Sequence, residues 1–140
     1  MLYAASAGLL LATGAQAASD ASPRTDPLSL IAGDWQVIEA QTGRVVLECP
    51  RAQRFEVTPD RQNVILTQLG VADWSSRYRV IRADGTRLLM IIENEERRTA
   101  RGEPVRWWAQ FNGSDEFSWR RDDWEPGAET NGVWRRCNRS

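Results

Sequence analysis

The chain predicts an all-β protein, an antiparallel up-and-down barrel of eight strands, or nine if one run is broken, entered through a short N-terminal helical turn. Three observations carry this prediction. From Asp34 onward the sequence is a succession of short alternating apolar and polar runs separated by turn residues. No stretch of any length repeats at the helical period. A length of 140 residues suits one hydrophobic core and not two. Sequential strands joined by hairpins close naturally into a barrel, which leaves no unpaired edge. An open two-sheet sandwich is the alternative, because loop lengths alone do not fix closure.

Residues 1–17, MLYAASAGLLLATGAQA, read as a secretory signal peptide. An apolar run from Leu2 to Ala12 leads to an A-x-A site at Ala15-Gln16-Ala17. The run is too short to span a bilayer, and no cysteine follows it to take a bacterial lipid anchor, so the mature chain is expected to be periplasmic or secreted, without stable membrane insertion. No arginine or lysine precedes the run, which departs from the usual pattern and leaves an uncleaved N-terminal anchor as the alternative. Residues 18–25 are small and polar and read as a flexible leader. The barrel domain is expected over 26–140.

Asp26 can cap a helix and Pro27 suits its first position, so Asp26 to Ala32 should form one turn across the end of the barrel. Strands are then expected at Asp34 to Ala40, at Arg44 to Cys49 resuming after Pro50 as Arg54 to Thr58, at Asn63 to Leu69 and at Trp74 to Arg82. In the last of these Tyr78 and Val80 face one way and Arg77, Arg79 and Ile81 the other. Asp84-Gly85 signals a tight hairpin, because glycine supplies the positive φ such turns require. Thr86 to Asn94 holds the most apolar run, Leu88 to Ile92, and should be covered on both faces. The charge run from Glu95 to Glu103 reads as a solvated loop or strand extension. Val105 to Phe111 carries Trp107 and Trp108 on opposite faces, Asn112-Gly113 signals another hairpin, and Glu116 to Arg121 and Gly132 to Cys137 complete the set.

Composition excludes several classes of function. The formal net charge of -1 offers no basic footprint for nucleic acid. There is no histidine, so the commonest general base and metal ligand is missing and Ser/His/Asp and Cys/His arrangements are excluded in their usual form. All 18 basic residues are arginine. The carboxylate cluster Asp122, Asp123 and Glu125 lies in a polar loop, where solvated surface is expected over a catalytic pair, and it lacks the glycine-spaced loop of calcium sites. No phosphate-binding glycine loop is present. The expectation is a non-enzymatic chain with no cofactor and no metal.

Cys49 and Cys137 are the only cysteines, and in an exported chain such a pair reads as a disulfide. The seven tryptophans are expected mostly in the core or capping the barrel.

Gly33 and Trp35, placed before and at the head of the first strand, form a Gly-x-Trp motif that resembles the opening motif of the lipocalins and the wider calycin group. The resemblance implies that an arginine near the last strand packs on the motif tryptophan, a role for Arg135 or Arg136, so that Gly33, Trp35 and this arginine close the barrel end. It also implies a Thr-Asp-Tyr-like turn late in the barrel, which Ser114-Asp115-Glu116-Phe117 echoes loosely. The chain departs from the family in being short, with no helix beside its last strand. A function follows from the likeness, namely holding a small apolar or amphipathic molecule, with Tyr78, Trp107 or Trp108, Phe111, Phe117 and Trp119 as wall residues. The Gly-x-Trp opening and single disulfide also resemble those of periplasmic metalloprotease inhibitors, although in that family the second cysteine comes well before the C-terminus. This second likeness implies a protein-binding module, such as an inhibitor of an envelope hydrolase.

Overall fold

In a computed structural model, the structure describes residues 26–125, 127–128 and 130–137. The expected signal peptide (1–17) and leader (18–25) lie outside the described residues. The chain runs through a short helix α1 (Pro27–Ile31) and nine strands: β1 (Gly33–Glu39), β2 (Val45–Leu47), β3 (Gln53–Val57), β4 (Asn63–Gln68), β5 (Ser75–Asp84), β6 (Arg87–Ile92), β7 (Trp107–Phe111), β8 (Glu116–Arg121) and β9 (Gly132–Arg136). Every strand pairing is antiparallel, and β1 pairs with β9, so eight strands, β1 and β3 to β9, close into a barrel. The ninth, β2, lies on β1 beyond the closed ring. This settles closure against the open sandwich.

Pro50 accounts for the ninth strand. Proline cannot donate to a ladder, and Cys49–Arg51 forms a 3-10 turn that divides the expected second strand into β2 and β3. Both pieces remain beside β1, with Leu47 opposite Val37 and Gln53 opposite Trp35. The disulfide between Cys49 and Cys137 forms as expected. Cys137 donates its backbone N–H to the Asp34 carbonyl, so the bridge ties together chain on the two sides of β1, at the seam where the barrel closes.

The turns obey the chemistry of their residues. Asp84 pairs with Arg87, leaving Gly85 and Thr86 as a two-residue loop with φ +60° at Gly85, the position at which a type II′ hairpin needs glycine. The Asn112-Gly113 signal opens a longer loop through Asp115, closed by the Asn112 N–H donating to the Glu116 carbonyl.

Alternation sends one side chain of each pair inward. Phe55, Val64, Leu66, Tyr78, Leu88, Met90, Trp107, Ala109, Phe111, Phe117 and Trp119 fill the interior, with Leu28 and Ile31 of α1 packed on them at one end. Leu89 and Trp108, which face each other across β6 and β7, are also buried but lie outside this cluster. They form a second layer on the outer face, so Leu88, Leu89 and Met90 are covered on both sides of the sheet, while Ile91 and Ile92 are half-buried. No helix among the described residues is long and apolar enough to cross a membrane.

Candidate functional site

The two ends of the barrel differ. At the end covered by α1, Asp26 caps the helix by accepting from the Leu28 N–H, and the Ile31 carbonyl accepts from the Trp35 indole at 2.9 Å. Trp35 is fully buried, edge-on to Phe117 with ring centroids 4.7 Å apart and 6.2 Å from Phe111. Over its other face lies the Arg136 guanidinium, 4.3 Å from the ring centroid. Arg136 also donates to the carbonyls of Leu30, Ala32 and Ser114, locking α1, β9 and the β7–β8 turn together. Of the two arginines expected to serve here, the structure selects Arg136. Arg135 points outward and pairs with Glu116, because neighbouring residues of a strand face opposite sides.

Gly33 is required twice. Its φ of +135° is accessible to glycine and strained for any other residue, and a Cβ there would stand 2.7 Å from Arg136 Nη1. Beside it Asp34 forms a two-pronged ion pair with Arg54, at 2.7 and 3.0 Å. The Ser114 to Phe117 turn serves the same end, through the Ser114 and Asp115 carbonyls that accept from Arg136.

The opposite end is open. A cavity of about 240 Å³ is lined by Leu66, Tyr78, Ile92, Trp107, Trp119 and Trp134, with Gln53, Arg97 and Thr130 at its polar edge. Tyr78 and Trp119 stack with centroids 5.6 Å apart and a 14° interplanar angle. Trp134 donates its indole N–H to Gln53 Oε1 at 2.8 Å, and Thr130 donates to the Trp119 carbonyl. Asn94, with φ +65°, turns the chain out of β6 and delivers Glu95 and Arg97 to the rim. Glu95 is nearly fully buried and accepts from Arg97 Nε and Nη2, from the Arg97 backbone N–H and from the Trp107 indole. Burial pushes the Glu95 carboxyl up, but these hydrogen bonds and the Arg97 charge outweigh it and hold its pKa below the ordinary value. The Arg97 guanidinium lies 4.9 Å from the centroid of the Trp107 ring. Burial raises the Tyr78 phenol to about 12, so its hydroxyl keeps its proton.

Of the expected wall residues, Tyr78, Trp107 and Trp119 meet at this mouth. Phe111 and Phe117 instead pack beneath Trp35, because their place along β7 and β8 puts them at the covered end. Trp108 points to the outer face, since alternation turns it away when Trp107 points in. There Arg82 and Arg87 cover its ring and Asp122 accepts its indole N–H at 2.7 Å. A groove of about 400 Å³ on the outer side of β7 to β9 includes Arg87, Gln110, Glu116 and Ser118, and Phe111 and Phe117 border it. Asp122 is engaged by Trp108 and Arg106, and Asp123 by Arg121, whose hydrogen bonds hold the Asp123 carboxyl below its ordinary pKa.

Sequence reasoning missed Glu95, Arg97, Gln53 and Trp134. A charge run carries no sign that two of its members fold over a barrel mouth. Trp134 was within reach, because it shares inward parity with Arg136. Comparison of the chain with known protein families, curated proteins and solved structures gives no match. The class that fold and site define is a small disulfide-linked antiparallel β-barrel, consistent with a lipocalin-like architecture, with one end plugged and one end open.

Proposed function

We propose that this protein is an exported, non-catalytic barrel that holds a small apolar or amphipathic molecule in its open end. The observation that carries the reading is the cavity of about 240 Å³ walled by Tyr78, Trp107, Trp119 and Trp134. It is slightly smaller than the roughly 300–1,000 Å³ of sites for drug-sized ligands, which suits a compact molecule. The lipocalin-like plug of Gly33, Trp35 and Arg136 supports the same assignment. Export is supported by the disulfide, a bond that persists in oxidising compartments.

Native mass spectrometry of the protein purified from the periplasm tests this function. A small molecule that co-purifies and leaves only on unfolding is the expected result. A bare mass, together with no binding of small aromatic or alkyl probes, would overturn it.

A second reading, a protein-binding module such as an inhibitor of an envelope hydrolase, rests on β2. Val45 and Val46 are exposed on this strand, which pairs only with β1 among the described residues, and open strand edges accept partner strands. Affinity capture of envelope proteins, with Val46→Lys as the control, tests it.

A further inference from the structure

We infer that the molecule held at the barrel mouth is an amphipathic acid, with a flat apolar body between the aromatic walls and a carboxylate at the rim. The inference rests on the ligand-binding reading above and adds the chemistry of the head group.

The polar atoms of the mouth divide unevenly. Its strong acceptors are engaged: both Glu95 oxygens by Arg97 and Trp107, Gln53 Oε1 by Trp134, and the Trp119 carbonyl by Thr130. The side-chain groups with no hydrogen-bond partner among the described residues can all donate. These are Arg97 Nη1, the Tyr78 hydroxyl, the Trp119 indole N–H and Gln53 Nε2, all on residues that line the cavity. Of them only the Tyr78 hydroxyl can also accept, as can Thr130 Oγ1 at the rim. Neutral Tyr78 can donate across the whole physiological range, because burial holds its proton. A site rich in open donors and poor in open acceptors favours a ligand group that only accepts, and an ionised carboxylate is such a group.

Arg97 is also held for the task. Two of its nitrogens are fixed by Glu95 and its plane lies against Trp107, so a third nitrogen is presented with little further loss of side-chain freedom. The Glu95 charge offsets that of Arg97, which limits the long-range pull on an anion and leaves short hydrogen bonds as the main source of selectivity. The body of the ligand meets flat rings, the stacked Tyr78–Trp119 pair and Trp107, and flat rings favour an aryl or short planar apolar group.

The test uses the disulfide-intact protein and two probes that share a body, 2-naphthoate and 2-naphthalenemethanol, titrated by tryptophan fluorescence. The expected result is that the acid binds about tenfold or more tighter than the alcohol, as a charge-assisted contact implies. The acid-to-alcohol affinity ratio should fall toward one in Arg97→Gln. Because that variant leaves Glu95 without its partner, Tyr78→Phe serves as the second, keeping the ring and removing the donor, and it should lower the ratio as well. Equal binding of both probes overturns the acidic head group while leaving a ligand-binding barrel standing, as does a ratio that neither variant changes. Binding of neither probe overturns the ligand-binding reading and the head group with it.

Discussion

Replacing Gly33 by alanine tests how the barrel end is closed. Two costs are separable in the structure. A non-glycine residue at φ +135° is strained by about 1–3 kcal/mol. The new Cβ would also stand 2.7 Å from Arg136 Nη1, so the guanidinium must move. Its freedom to move is small, since it donates to the carbonyls of Leu30, Ala32 and Ser114 and lies over Trp35. Losing the contact with Trp35 costs about 0.5–2 kcal/mol, and weakening the charged hydrogen bonds adds to it. The total is roughly 2–5 kcal/mol, a large part of the 5–15 kcal/mol typical of a domain. Urea unfolding with the disulfide intact measures it for Gly33→Ala, for Arg136→Met and for the double variant. In the Arg136→Met background the alanine should cost only the backbone part, so the two changes should couple by about 0.5 kcal/mol or more. The reasoning is refuted if Gly33→Ala costs the same in both backgrounds, or costs nothing.

Removing the disulfide in Cys49→Ala/Cys137→Ala should lower stability by up to about 4–5 kcal/mol, from the 88-residue separation it spans. Urea midpoints of the intact and double-alanine proteins measure this loss. Tyr78 is the sole tyrosine of residues 18–140, and in a protein of those residues tyrosinate absorbance should rise near pH 12 and not near 10. Its proton is held more tightly in the folded chain than in the unfolded one, so its contribution to stability is full below pH 10 and declines as pH rises toward about 12. Glu95 works in the opposite direction. Its carboxyl is depressed in the folded chain, so its contribution is full above the ordinary value of 4.5 and is lost as pH falls through the lower folded value. The stability gap between the native protein and Glu95→Gln, followed by thermal melts, should therefore narrow below pH 4.5.

The fold was legible because the signals that make it are local. Alternation in β5 placed Tyr78 and Val80 inside, Asp26-Pro27 started α1, and Asp84-Gly85 set a hairpin. The closed end was legible by a different route: the Gly33-x-Trp35 motif resembles the lipocalin opening, and that resemblance implied an arginine on the tryptophan, leaving Arg135 and Arg136 as the two candidates. The mouth was harder. Which of Phe111, Phe117, Tyr78 and Trp119 reach it depends on the register of β7 against β8 and β5 against β6, and the bulge between Val80 and Arg82 shows that register can shift within a strand. The fate of Glu95 and Arg97 depends on where the fourteen-residue connection 93–106 folds back, and nothing in its composition separates a solvated loop from a rim.

The contrast between the ends follows from what each must do with its polar groups. At the covered end the arginine is matched by backbone carbonyls that α1 and the Ser114 turn bring to it, and the aromatics can pack edge to face up to the helix. Filling the other end in the same way would bury the Glu95–Arg97 pair behind further side chains. Removing both charges from water carries a desolvation penalty that their mutual attraction repays only in part. Arg97 keeps about half its side chain in solvent, 54%, while its partner Glu95 keeps 3%. The pair is thus stable at a rim and unfavourable inside a filled core. An open cavity of about 240 Å³ and an arginine nitrogen with no hydrogen-bond partner among the described residues are two consequences of one arrangement.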